Sequence, residues 1–185
     1  LGVGGSDDTL MSVDGDIIVA PQGLGDYSDI SEAVAAAQED ERIIVYPGLY
    51  HHNTTFSGKN VKIVSAYGAH ATVSTGSTHH FVYTSGEDSS SLLQGFTLWT
   101  AANYTHNLSA SSPVFRQNHY MFNPSYVVYT NASSEPRFED CVFENNTGPY
   151  VMVSRSTSFI DILGSTFQNN ATTSGGTLKV EGTSD

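Results

Sequence analysis

The chemically capable residues of this sequence are its histidines, a few arginine–carboxylate groups, one thiol and a set of Asn-x-Ser/Thr triplets. His51-His52 and His79-His80 are adjacent pairs, and imidazoles from neighbouring segments could together ligate a metal ion. Neighbouring residues on a strand face opposite sides, so one member of each pair is expected inside or in a turn, and no metal site is assigned. Arg137 has Glu139 and Asp140 nearby, the raw material of a calcium-assisted base, but in a polar corner such a trio reads as a solvated ion pair. Asp7, Asp8, Asp14 and Asp16 offer oxygens to calcium, yet their spacing lacks the glycine and terminal glutamate of an EF-hand loop. No nucleophile–base pair is legible, so no catalytic residue is assigned, and calcium is the one cofactor this acidic surface would admit.

The Asn-x-Ser/Thr triplets begin at Asn53, Asn103, Asn107, Asn131, Asn145 and Asn170, none with an intervening proline. A sugar on such an acceptor needs an exposed loop in an exported protein, so six acceptors in one chain point to a secreted or cell-surface glycoprotein. Cys141 is the sole cysteine, which excludes an internal disulfide and makes a buried apolar thiol the expected state. Aromatic residues crowd the middle of the chain at Tyr104, Tyr120, Phe122, Tyr126, Tyr129 and Tyr150, with Trp99 close by. Most should be rungs or loop anchors; Trp99, Tyr104, Tyr120 and Tyr126 are the candidates for an exposed ligand or interface strip, since such rings join a large contact area to a polar edge.

Elements must position these groups. The net charge is −12 with only seven Lys and Arg, too few to track a nucleic acid backbone. No apolar run is long enough for a membrane span, and Leu1 onward lacks the regions of a signal peptide, so the chain reads as processed or as part of something larger. Residues 1–15 read as a flexible acidic arm and 16–185 as a single domain. One helix is convincing, over about residues 28–38, with Ser28 or Asp29 as cap and Ile30, Ala33, Val34 and Ala37 on one face. Beyond Asp40 come brief β-branched and aromatic runs, such as Ile43 to Tyr46, Val61 to Ser65, Tyr126 to Tyr129 and Tyr150 to Val153. The stretch from Ala101 to Pro124 exceeds a plain turn and is expected to protrude as a loop bearing sugars on Asn103 and Asn107.

Strands this short suit a solenoid, and an internal repeat supports one. Phe138-Glu-Asp-Cys-Val-Phe-Glu-Asn-Asn146 aligns with Ile162-Leu-Gly-Ser-Thr-Phe-Gln-Asn-Asn170 at a shift of 24 residues, and Leu93 to Leu98 fits the same frame 45 residues before Phe138 to Phe143. The frame stacks Phe96, Cys141 and Ser165 inside, and likewise Leu98, Phe143 and Phe167. It puts the asparagines at coil corners, where they form ladders and tolerate left-handed backbone. The fold class is therefore all-β, a right-handed parallel β-helix with an N-terminal capping α-helix. The far end, Gly175 to Asp185, shows no comparable cap, so further chain or a second copy is expected to cover it.

Asp16-Ile-Ile-Val-Ala-Pro-Gln-Gly-Leu-Gly-Asp-Tyr-Ser-Asp-Ile-Ser-Glu-Ala-Val-Ala-Ala-Ala37, with Arg42 to Tyr50 and Lys59 to Val64, resembles the opening segment of pectin-lyase-like β-helix proteins, pectin methylesterases among them. That resemblance covers about the first third of the chain and implies fold, not activity. The segments Gln-Asp-Thr-Leu, Asp-Phe-Ile-Phe-Gly and Gly-Arg-Pro-Trp that the esterases carry are missing, and His51-His52 follow the Tyr-Pro-Gly-x-Tyr turn where a glutamate is common. Phe143-Glu-Asn-Asn146, Phe167-Gln-Asn-Asn170 and Gly175-Gly-Thr-Leu178 resemble repeats of polymorphic outer-membrane proteins, which implies a display scaffold. The expectation is a non-catalytic structural or adhesive glycoprotein that associates end to end or with further segments of its own polypeptide. The alternatives are a lyase or esterase acting on acidic glycans and a carbohydrate-binding module without turnover.

Overall fold

The structure, a computed structural model, describes residues 15–181. The acidic arm expected over residues 1–15, with Asp7, Asp8 and Asp14, lies outside the described residues apart from its last position. Asp16 is described, and its carboxylate accepts from Arg42 Nε at 2.8 Å and Nη2 at 2.6 Å, an ion pair on the first rung.

Short strands of alternating burial dominate, because each coil places one residue in two inside and turns after two to six. Numbered in chain order, the strands fall into three parallel sheets. The first holds β1 (Ile17–Val19), β2 (Arg42–Val45), β5 (Lys62–Ser65), β8 (Leu92–Gln94), β11 (Val114–Arg116), β14 (Arg137–Glu139) and β17 (Asp161–Leu163). The second holds β3 (Gly48–His51), β6 (Thr72–Thr75), β9 (Thr97–Trp99), β12 (His119–Met121), β15 (Val142–Glu144) and β18 (Thr166–Gln168). The third holds β4 (Thr54–Thr55), β7 (His79–Tyr83), β10 (Tyr104–Ser109), β13 (Tyr126–Asn131), β16 (Met152–Arg155) and β19 (Leu178–Glu181). Each coil visits the three sheets in turn, so every strand pairs with the strand one coil away and no coil buries its apolar face alone.

The register matches the repeat. Leu98, Tyr120, Phe143 and Phe167 are successive partners along the second sheet, so Leu98 and Phe143 stand two coils apart. Ile43, Ile63, Leu93, Phe115, Phe138 and Ile162 form the matching inward row of the first sheet. Cys141 is 1% exposed within this core. At the corner between second and third sheets, Asn123, Asn146 and Asn170 form a ladder. Asn146 Oδ1 accepts the Asn123 backbone N–H at 3.0 Å, and Asn170 Oδ1 accepts the Asn146 backbone N–H at 3.1 Å. The preceding residues Phe122, Asn145 and Asn169 adopt left-handed φ of 54°, 53° and 53°.

The helix α1 (Ile30–Ala36) closes the first coil. Asp29 caps it by accepting the N–H groups of Ser31 and Glu32 at 2.6 and 3.3 Å, while Ile30, Ala33 and Val34 are buried against the first rungs. Lys59 secures the other end, its ammonium donating to the carbonyls of Val34, Ala35 and Ala37 at 2.9, 2.6 and 3.0 Å.

The protruding loop expected over residues 101–124 is not one. That stretch contains β10, β11 and β12 and completes an ordinary coil, with Leu108, Phe115 and Tyr120 inside. The sequence concealed it because Thr105, His106, Asn118 and Asn123 are also buried, and their polarity reads as a loop until hydrogen bonds to residues distant in sequence partner them, His106 through Nε2 alone.

Candidate functional site

Each outer face of the helix offers a different chemistry, and the third sheet gathers the most aromatic surface. Its strands start with a kink: the N–H groups of Val127 and Val128 share the Val151 carbonyl, both at 3.0 Å, and those of Val151 and Met152 share the Thr177 carbonyl at 3.0 and 2.9 Å. Two successive residues therefore point inward, and the residue before them turns outward. Tyr104, Tyr126 and Tyr150 occupy that outward position in consecutive coils, one residue before the buried pairs Thr105-His106, Val127-Val128 and Val151-Met152.

The rings form a continuous comb. His79 stacks on Tyr104 at 5.4 Å and 2°, and Tyr104 lies 5.6 Å from Tyr126 and 4.9 Å from Tyr129. Arg155 sits over Tyr129 at 5.3 Å and Lys179 over Tyr150 at 5.2 Å. Because the rings cover one another's faces, the comb presents edges, hydroxyls and two cations instead of open stacking platforms. Desolvation, with Tyr129 and Tyr126 adding to it, raises the Tyr104 pKa, so its hydroxyl stays protonated at neutral pH. The strands of this sheet carry a single carboxylate, Glu181, held by Arg155 at 2.6 Å and by Lys179, although the chain has 19 Asp and Glu. Acid has been kept off this face.

Of the expected strip, Tyr104 and Tyr126 belong to the comb. Trp99 lies on the outer face of the second sheet and is 44% exposed. Tyr120 is a correction: it is fully buried, stacked on Phe143 at 4.5 Å, with its hydroxyl 3.0 Å from His106 Nε2. Plain alternation along β12, with His119 and Met121 turned outward, buries Tyr120, whereas the kinked strand starts of the third sheet turn Tyr104 and Tyr126 outward.

The acceptor asparagines take varied positions. Asn103 is exposed beside Tyr104, and Asn107 points outward between Val82 and Tyr129. Asn131 ends β13 and accepts from Ser156 Oγ at 2.9 Å, and Asn145 sits at a left-handed corner. Asn53 donates to Ser77 Oγ at 2.9 Å, and Asn170 Nδ2 donates to the Phe143 carbonyl at 2.8 Å as the last rung of the ladder.

The histidine pairs divide as alternation requires. His51 is exposed and His79 half-buried, while His52 and His80 are inside, bridged by Ser74 Oγ at 2.9 and 3.2 Å. Desolvation lowers His52 to about 4 and His80 to about 3, and pushes fully buried His106 well below its ordinary value. Among the described residues no three His, Cys, Asp or Glu side chains come together as a metal site. On the first sheet, Arg137 Nε pairs with Asp161 at 3.0 Å and Arg116 Nε with Glu139 at 2.7 Å, a ladder of half-exposed surface ion pairs with Asp140 turned to the next corner.

Sequence reasoning missed the polar interior. Glu87 is 1% exposed, and its carboxylate accepts from Gly58 N–H at 2.8 Å, Ser85 N–H at 3.0 Å and Ser111 Oγ at 2.7 Å. No motif marks it. Asn123 could have been found, because Met121-Phe-Asn123 occupies the same place in its coil as Glu144-Asn-Asn146.

Coils stacked in three parallel sheets define a parallel β-helix, and a solved structure shares that architecture. Pectin methylesterase from carrot superimposes on 84% of this chain with a TM-score of 0.54 at 17% identity, and the chain spans 65% of that enzyme's length. A variant pectin methylesterase in complex with a hexasaccharide matches with a TM-score of 0.46 at 11% identity, over 94% of this chain and 68% of that one. At 17% identity the carrot likeness establishes the fold, a right-handed parallel β-helix, as the opening-segment resemblance implied. No protein-family model matches the sequence, and no curated protein does. Among the described residues no helix is long and apolar enough to cross a membrane.

Proposed function

We propose that this protein is a non-catalytic, adhesive β-helix of an exported glycoprotein, which holds an acidic polysaccharide along the outer face of its third sheet. The observation that carries the reading is the comb of His79, Tyr104, Tyr126 and Tyr129 with Arg155 and Lys179, on a face nearly free of carboxylates. Packed tyrosines have little rotamer entropy left to lose, and their hydroxyls can donate to and accept from sugar hydroxyls and uronate oxygens along several coils. Calcium would bridge uronates to the acidic remainder of the surface. The acceptor asparagines support export, and exposed Leu163, Leu178 and Val180 on the last described coil support end-to-end association of copies.

Binding of polygalacturonate, methyl-esterified and free, with and without calcium, tests the reading by calorimetry. Saturable binding without release of methanol or unsaturated ends is expected, weakened at least tenfold in Tyr104→Ala and Tyr129→Ala proteins that keep their circular dichroism. Equal binding by those variants would overturn it. A second reading, an esterase or lyase acting on acidic glycans, is favoured by the arginine–carboxylate ladder of Arg116, Glu139, Arg137 and Asp161 on one sheet face. Turnover that disappears in Arg137→Ala would establish it instead.

A further inference from the structure

Of the seven histidines three are inside the helix, His52 at 4% exposure and His80 and His106 at 0%. They stand in three consecutive coils. Thr54 Oγ1 lies 2.8 Å from His52 Nδ1, and Ser74 Oγ joins His52 Nε2 at 2.9 Å to His80 Nδ1 at 3.2 Å. One coil on, His106 packs against Phe81 and Phe115, at 5.9 and 4.1 Å between ring centroids, with Nε2 3.0 Å from the Tyr120 hydroxyl. Past β10 the interior changes. On the third sheet the inward pairs His80-Phe81 and Thr105-His106 give way to Val127-Val128 and Val151-Met152. Among the described residues of the later coils no histidine, carboxylate, lysine or arginine is buried.

Neutral imidazoles fit this interior, because each then needs one donor and one acceptor. An imidazolium donates from both nitrogens. Thr54 and Ser74 can turn to accept from His52, but Ser74 then gives its proton to His80 and cannot accept a second one from it. His80 Nε2 and His106 Nδ1 have no aligned hydrogen-bond partner. A second proton on the chain of His52 and His80, or any added proton on His106, therefore leaves a charged donor unpaired in the core. The surrounding groups do not remove that cost. Asp29, His51 and His80 face His52; His51, His52 and the Trp99 carbonyl face His80; His80, Tyr83 and Tyr120 face His106, with Glu87 behind Tyr83. Asp29 is the one anion in direct reach, and the N–H groups of Ser31 and Glu32 already hold it. Desolvation is the largest influence on all three histidines and keeps them neutral.

We infer that the coils from β1 to β10 are an acid-operated element, which opens from the capped end in mildly acidic solution while the coils from β13 onward stay closed. A solenoid permits this, because each coil contacts only its neighbours. The opened coils take up protons that the folded ones refuse, so acid favours opening, and it adds no charge to the later interior. Strands β7 and β10 carry His79 and Tyr104, so opening also takes apart the first half of the comb.

Hydrogen exchange of the native protein at pH 7 and pH 5, corrected for the intrinsic pH dependence of amide exchange and read peptide by peptide, tests this. Protection in β2, β5 and β7 should fall about a hundredfold or more, and in β13, β15 and β16 by less than about threefold. The loss in the first group should shrink about tenfold in His80→Gln and in His106→Gln. It should stay unchanged in His70→Gln, whose side chain is exposed. Equal losses in both groups would overturn the inference, since acid would then open the whole helix at once. So would full protection of the first group at pH 5, or a loss that neither inward variant reduces. The contrast between the two groups is read in the unaltered protein, so it decides the matter even where a variant fails to fold.

Discussion

The rings of Phe143 and Phe167 lie face to face across one coil, 4.6 Å between centroids and 6° from parallel. Tyr120 continues the stack on the other side of Phe143 at 4.5 Å and 7°, so Phe143 is packed above and below, while Phe167 has a ring on one side and is only partly buried. Phe143→Ala should therefore cost about 3–5 kcal/mol of stability and Phe167→Ala clearly less. Urea unfolding followed by circular dichroism measures both, and equal losses would mean that the last described coil packs as tightly as the interior.

The asparagine ladder separates two roles within one dipeptide. Asn146 is 1% exposed; it accepts from Asn123 and donates to the Tyr120 carbonyl at 3.1 Å, so Asn146→Ala orphans several buried groups and should cost about 2–4 kcal/mol. Asn145 contributes its left-handed φ, and Asn145→Gly should be neutral within about 0.5 kcal/mol. Thermal unfolding of the two variants side by side provides the check, and comparable losses would contradict the assignment of roles.

Stability should fall as the solution turns acidic. His52 and His80 are depressed in the folded state to about 4 and about 3 by desolvation, while the unfolded chain protonates near 6.5, so the unfolded state binds more protons in between. Their contribution is complete above pH 6.5 and is lost as the pH drops towards 4. From pH 6.5 to 5 the loss is about 2 kcal/mol for each. Neighbouring groups do not reverse the sign: Asp29 opposes the shift of His52, but burial outweighs it. Chemical denaturation at pH 7 and pH 5 measures the slope, which His80→Gln should flatten by the share of one histidine.

Cys141 should be inert in the native state. Burial raises its thiol to about 12, and its Sγ lies 3.5 Å from the Phe115 carbonyl inside the core. Thiolate is the reactive form, so a disulfide reagent at pH 8 should label the protein only after denaturant is added. Immediate labelling without denaturant would show that the coil around Cys141 opens readily.

Much of the architecture was legible because a solenoid writes its coil length into the chain. The match of Phe143 to Phe167, the Asn pairs at the corners, the small thiol in an inward row and the apolar face of Ile30, Ala33 and Val34 each report a local demand for burial or left-handed backbone. The middle coil was harder. Its inward positions include His106, Thr105 and Asn118, polar residues whose hydrogen-bond partners lie 14 to 25 residues away. A local pattern therefore reads them as loop.

By itself, then, the amino-acid order determined the coil period, the rows that face inward, the capping helix and the lack of a recognisable catalytic motif. Tertiary structure alone decided that Tyr120 is core while Tyr104 is surface, and that the tyrosine rings of the third sheet stack on one another while Trp99 is 44% exposed on the second. It also set the ion pairs of Arg116 with Glu139 and of Arg137 with Asp161 side by side on the first sheet. The physical reason is common to all of these. A kink at a strand's start reverses the alternation that sequence relies on, and the neighbours that set a ring's exposure or a face's charge come from adjacent coils, not from adjacent residues.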